Sequence, residues 1–300
     1  MVLAPDIPDI RDIPNRGRPA GSERRTVLRL LRLVLVYSLL IGGGLIFVFP
    51  FYWLITTSLK SVELIQADPP QWFPNPIAFS NYADLMDAAP VLSWVRNTVV
   101  VTFLGTIFYT ASSVLTAYGF ARHPFPGSRV LFFLVLATMM MPGHITIIPR
   151  FVIFRELGWL DTLLPLIVPT LFGSAFYIFL LRQFFLTIPR DLDEAAELDG
   201  ANTLQILWDV LLPLARPAIV TVALFAFIEQ WGDFFEPFIY LSSPENLTLQ
   251  VGLRWFSTQY GTQFHLMMAG SVLAMAPIII VFFFAQKQFI QGITLTGLKG

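Results

Sequence analysis

The sequence contains no cysteine, which excludes disulfides, thiolate catalysis and cysteine–zinc sites together. Charge is scarce: 13% of the 300 residues are Asp, Glu, Lys or Arg, against about 25% in soluble domains. Lysine is rarer still, confined to Lys60, Lys287 and Lys299. None of the three follows a GxxxxG pattern, so the loop that cradles nucleotide phosphates is missing. His123, His144 and His265 are the only histidines, and their scatter is not the spacing of a metal site. Mean hydropathy is +0.67. The chain therefore reads as a membrane protein, not as a soluble domain with a large core.

What fills the sequence is long apolar runs. A helix rises about 1.5 Å per residue, so roughly 20 residues cross a hydrocarbon core about 30 Å thick. Runs of that order lie near Leu33 to Ile55, Asn97 to Ala121, Val130 to Ile148, Leu163 to Phe184, Ala218 to Tyr240 and Leu266 to Ala285. The expected fold class is all-α, a polytopic membrane protein with six transmembrane helices. Residues 1–25 are polar, rich in proline and arginine, and read as a disordered tail. Residues 26–300 form the membrane domain.

Lysine and arginine set the orientation. With the N-terminus inside, fourteen of these residues fall on the cytoplasmic side and five outside, together the nineteen in the chain. Both termini are then cytoplasmic. So is the charged stretch 188–217, IPRDLDEAAELDGANTLQILWDVLLPLARP.

That stretch has a clear local grammar. Pro189 blocks continuation of the preceding helix. Asp191 and Glu194 have capping-box spacing for a new one. Gly200 stands where a helix closes in a left-handed residue. Asn202 or Thr203 can cap a second short helix over Leu204 to Leu212. The pattern predicts helix, glycine turn, helix, lying against a membrane face.

Glu194-Ala195-Ala196, Asp199-Gly200-Ala201 and Leu212-Pro213, with Pro217, resemble the "EAA" loop of permease subunits in ATP-binding-cassette importers. Other segments agree with this. Ala117-Tyr118-Gly119-Phe120-Ala121-Arg122 is similar to the family's second-span exit, and Leu157-Gly158-Trp159-Leu160-Asp161-Thr162 to its LG-x-x-DT segment. Leu298-Lys299-Gly300 resembles the family's C-terminus. The likeness covers Asn81 to Gly300 and is strongest to the carbohydrate-uptake branch. It departs in the fifth run, where Gly232 replaces the usual Asn and Glu229 and Glu236 are additions.

The resemblance implies an importer-permease fold in a bacterial or archaeal cell membrane, and a transport subunit rather than an enzyme. It implies ATPase coupling through Glu194, Ala195, Ala196, Asp199, Gly200, Ala201 and Pro213. The implied partners are a second homologous permease, two cytoplasmic ATPase subunits, an external sugar-binding protein and membrane lipid, with no nucleic acid. No cofactor is expected in this chain, because ATP and Mg would be bound by the ATPase subunits. Glu229, Trp231, Asp233 and Asn97 are the substrate-path candidates: acids inside a span are functional by default, and Trp231 offers a face for stacking a sugar. An ion- or proton-coupled secondary transporter is the alternative, with Glu229 and Asp233 as its relay. The lack of a visible inverted repeat weighs against it.

Overall fold

The computed structural model describes residues 22–258 and 261–297, and the expected tail before Ser22 and terminus after Gly297 lie outside them. The chain divides into two units between Trp53 and Leu54. The first holds most of helix α1 (Ser22–Ser58). The helix begins at Ser22, so Ser22 to Arg25 are helical. Leu39, Ile46 and Phe47 stand exposed along it, and such a face is stable only in lipid or against a partner.

The second unit contains the rest. Helix α2 (Ser80–Ala88) follows an irregular stretch, and the Asn81 side chain donates to the Ser58 and Lys60 carbonyls at 2.9 Å each. Helix α3 (Val91–Arg122) is 32 residues long and proline-free. Helices α4 (Ser128–Thr138) and α5 (Ile147–Glu156) come next, then α6 (Ala175–Thr187) after the short turns Leu164–Ile167 and Val168–Phe172. Helix α7 (Asp191–Leu198) lies in the charged loop. Helix α8 (Arg216–Gly232), the short α9 (Phe235–Tyr240) and α10 (Phe264–Gly297) complete the order. A two-residue antiparallel ladder, Ser257–Thr258 with Gly261–Thr262, is the one extended pairing among the described residues.

Four helical stretches are long and apolar enough to span: Arg29–Ser58, Val91–Arg122, Leu164–Thr187 and Phe264–Gln286. Thr203–Leu214 and Arg216–Gly232 make a fifth if their 82° bend is one broken span. The expected third run, Val130 to Ile148, differs. Its helix stops at Thr138 after 11 residues, about 16 Å. Pro142 and Gly143 break the apolar sequence, a 3-10 turn follows at Gly143–Thr146, and α5 begins at Ile147. The expected fifth run is also shorter than its hydropathy, because α8 ends at Gly232 and Asp233 is extended.

Two buried clusters hold the second unit together, and α3 contributes to both. Val114, Ala117, Tyr118 and Ala121 pack with Leu181, Phe185, Leu211 and Val222 at one end. Val91, Trp94 and Val101 pack with Phe154, Tyr240, Leu249 and Phe256 at the other. The end with Arg122 also gathers Arg182 and Arg190, which reach the Phe120 and Ala121 carbonyls. This is the end that the positive-inside count assigns to the cytoplasm.

The opposite end is a tied loop. Asp161 sits at φ 59, a backbone region that aspartate tolerates better than most residues. Its Oδ1 accepts from the Ser242 and Ser243 amides at 2.8 Å each, and its Oδ2 from the Ser243 hydroxyl. Asn246 donates to its carbonyl at 2.7 Å. Burial would raise this carboxyl, but the hydrogen bonds from Ser243 and Ser242 outweigh it and hold the pKa at about 2.

Candidate functional site

Helix α7 starts directly after Pro189 and Arg190. Arg190 occupies the N-cap and no side chain caps the helix, so the expected Asp191–Glu194 capping box is absent. What favours the start is charge: Asp191, Asp193 and Glu194 crowd the first turn, where the partial positive charge of the helix terminus lies. The exit matches expectation. Gly200 has φ +86, its amide donates to Glu197 at 3.0 Å, and the Ala201 amide donates to Ala196 at 2.9 Å. These two bonds are a Schellman closure, which needs a residue free to adopt positive φ.

Asn202 then caps the next turn with a complete capping box to Gln205. The predicted second helix is real but not uniform. It runs as an α turn, a π segment over Ile206–Leu211, and a last turn Leu212–Leu214. Pro213 has no N–H to return to Asp209, so the ordinary ladder fails there and the wider turn precedes it.

The loop is bolted to the inner end of α3. Arg122 Nε meets Asp193 Oδ2 at 3.0 Å, with side chains 3% and 16% exposed. Arg122 also donates to the Ile188 carbonyl at 3.0 Å. The Tyr118 hydroxyl donates to the Thr203 carbonyl at 2.9 Å. One arginine and one tyrosine thus hold three points of the loop: its entry, α7 and its second helix. Glu194 and Ala195 face outward, Ala196 is half-buried, and Leu198 is 90% exposed at the helix end. A leucine held that far into solvent by a rigid turn is a ready contact for another protein. Pro213 is exposed and Ala201 is half-buried.

The path candidates separate. Glu229, Asp233 and Glu236 line a cavity of about 480 Å³ with Tyr109 and Gln230. Tyr177 donates to Glu229 Oε2 at 2.5 Å. Arg150 holds Glu236 in a two-point pair at 2.5 and 3.0 Å. Asp233 accepts from the Phe235 amide at 3.0 Å, starting α9. Trp231 does not join them. It is buried, its Nε1 donates to the Ala274 carbonyl at 2.8 Å, and Phe227 stacks on it at 5.8 Å. Asn97 is likewise a lock: its amide donates to Glu245 and Leu247 at 2.9 and 3.0 Å, which leaves no donor for a solute. A second, apolar cavity of about 1010 Å³ lies between α3 and the loop, lined by Thr106, Thr110, Trp208 and Arg216.

Sequence reasoning missed Tyr177, Arg150 and the Arg122–Asp193 pair. The AYGFAR segment was visible, but no local signal shows that its arginine meets an aspartate 71 positions later.

Residues 109–295 match the family described as binding-protein-dependent transport system inner membrane component. The chain belongs to this family. It is 33% identical over 288 residues to the arabinooligosaccharides transport system permease protein AraQ of Bacillus subtilis, covering 95% of this chain and 99% of that one. It is 30% identical over 257 residues to the diacetylchitobiose uptake system permease protein DasC of Streptomyces coelicolor, covering 84% and 92%. The fold is similar to that of a bacterial ABC transporter involved in import of the acidic polysaccharide alginate, with TM-score 0.76 and 27% identity over 90% of this chain and 99% of that one. This permease is therefore an inner-membrane, multi-pass transport component, and membership favours the importer over the ion-coupled alternative.

Proposed function

We propose that this permease forms half of the translocation path of an ATP-driven sugar importer, paired with a second homologous permease. Two cytoplasmic ATPase subunits dock on α7, and an external binding protein delivers the sugar. The chain brings no nucleotide site of its own. ATP and Mg belong to the ATPase subunits, whose closure draws the 188–217 loops together and opens the path outward; hydrolysis resets it. Glu229 and Asp233, in the cavity beside Tyr109, face the solute.

The observation that carries the reading is the construction of α7. It is short, closed by Gly200 and fixed by Asp193, so it can pass on a rigid-body movement that a floppy loop would absorb. Its acidic first turn offers Glu194 to a partner's arginine, and Ala195 lets a docking surface approach closely. The sugar class is supported by the relatives, named for oligosaccharides. Reconstitution tests it. In vesicles holding both permeases and the ATPases, uptake of sugar from a loaded binding protein should require ATP. This permease alone should hydrolyse none. Uptake that persists without the ATPases would overturn the reading.

A further inference from the structure

We propose that helix α3 is the rigid strut of the transport cycle, carrying the movement of the 188–217 loop to the opposite face, and that Arg122 is the positioning residue that fixes its inner end. The proposal rests on the loop being the ATPase contact and adds how its movement crosses the membrane.

The long helices differ in stiffness. Pro50 lies inside α1 and Pro277 inside α10, each removing one hydrogen bond from its helix. The Leu164–Thr187 stretch contains Pro165, Pro169 and a break at Gly173, where φ is +75. The Thr203–Gly232 stretch turns through 82°. Only Val91–Arg122, among the described spans, is continuous and proline-free. Kinks arise at proline and at inserted turns, so this helix is the one built to move as a unit.

Both of its ends are fastened by side chains it supplies itself. At the inner end, Arg122 and Tyr118 hold Asp193, Ile188 and Thr203. At the outer end, Trp94 Nε1 donates to the Pro244 carbonyl at 2.7 Å, and Asn97 holds Glu245 and Leu247. The Leu249 amide donates to Thr98 Oγ1 at 2.8 Å. The Arg122–Asp193 contact and the Asn97 contacts are nearly or fully removed from water, where such bonds hold direction well. From Asn97 to Arg122 the helix is continuous, a rise of about 37 Å. Movement at α7 therefore reaches the 244–249 loop through one helix and two sets of bonds. No hinge lies between.

The test uses the complete complex in vesicles. Arg122→Gln should insert and pair with its partner permease, read as co-purification of the two permeases. Stimulation by loaded binding protein should fall by about tenfold, a typical size for coupling between sites. Arg122→Lys, which keeps a positive donor for Asp193 and the Ile188 carbonyl, should retain most of it; an equal loss in both variants would overturn the positioning role. A second measurement needs no loss-of-function variant. Spin labels on cysteines at Leu92 and Leu204, both exposed, report the distance from the outer end of α3 to the loop fastened at its other end, in a chain with no other cysteine. Their separation should stay constant between nucleotide-free and ATP-bound states. A change of about 5 Å or more, the size of a one-turn shift, would overturn the strut, as would full stimulation in Arg122→Gln. Wild-type complex that shows no stimulation at all would instead sink the importer reading beneath it.

Discussion

The Tyr177 hydroxyl donates to Glu229 at 2.5 Å and joins α6 to α8 at the rim of the acidic cavity. Glutamine at 229 keeps an acceptor for that hydroxyl but removes the charge. Glu229→Gln should therefore leave thermal stability within about 1 kcal/mol of wild type, the net worth of an ordinary hydrogen bond, while sugar uptake falls severalfold. Tyr177→Phe should show the reverse weighting, with stability lost and uptake per folded complex less affected. Uptake by Glu229→Gln that matches wild type at every pH tested would make Glu229 a helix lock and nothing more.

Two glycines give a paired packing test. A Cβ on Gly252 would lie 2.3 Å from Trp94 Cδ2 and 2.4 Å from Cε3. That indole is fully buried and tied to Pro244, so it cannot step aside. A Cβ on Gly105 would lie 2.3 Å from Gln230 Nε2, the end of a flexible side chain. Gly252→Ala should cost about 1–3 kcal/mol, the usual penalty of overpacking, and loosen the outer loop. Gly105→Ala should cost clearly less. Thermal midpoints in detergent, read side by side, decide it; equal losses would mean that the indole is not a fixed wall.

How much of this was legible beforehand depends on what kind of signal each feature leaves. Gly200 was legible because a left-handed helix exit demands glycine at one position in the local sequence. Most of the spans were legible because lipid demands long apolar runs. The third run misled because hydropathy sums side chains, while Pro142-Gly143 breaks the backbone without lowering the apolar content much. Asn97 and Trp231 show a different limit. A polar or aromatic residue in an apolar run looks the same whether it meets a solute or a distant carbonyl. The carbonyls here are at Glu245, Leu247 and Ala274, and no spacing rule reaches that far. The missing capping box at Asp191 shows the same limit at short range: the spacing was right, but Arg190 took the N-cap and the acids act through charge alone.

The Asp161 tie sets an acid limit on the outer loop. Its carboxyl is held at about 2 in the folded chain against the ordinary 3.8. A depressed aspartate stabilises the fold fully above its unfolded pKa, and the contribution is lost as pH falls from about 4 through about 2. Asp161→Asn tolerates the same positive φ and still accepts the two amides, but it offers no charge to titrate. Wild type should lose thermal stability on going from pH 7 to pH 3 more steeply than Asp161→Asn does. Parallel pH profiles would show that the amides of Ser242 and Ser243 do not depend on the charge.

Gly200 carries the most direct test of the loop. A Cβ there would meet nothing within 4 Å, so crowding is not at issue and only the backbone conformation is penalised. A β-branched residue at φ +86 costs roughly 1–2 kcal/mol. The packed spans lie elsewhere and should absorb that cost. The angle between α7 and the Asn202 turn should not survive, because the Ala201–Ala196 and Gly200–Glu197 bonds both need the left-handed residue between them. Gly200→Val should therefore insert and pair with its partner permease, yet bind the ATPases poorly or leave hydrolysis unresponsive to loaded binding protein. Gly200→Asn, which reaches positive φ more readily, should recover much of the loss. Glu194→Ala should give a milder defect, since it removes one charge from the helix start and none of the turn. Co-purification of the ATPases and sugar-stimulated hydrolysis are the two readouts. Wild-type values of both in Gly200→Val would mean that the rigid turn does not transmit the stroke, and α7 would lose its assigned role.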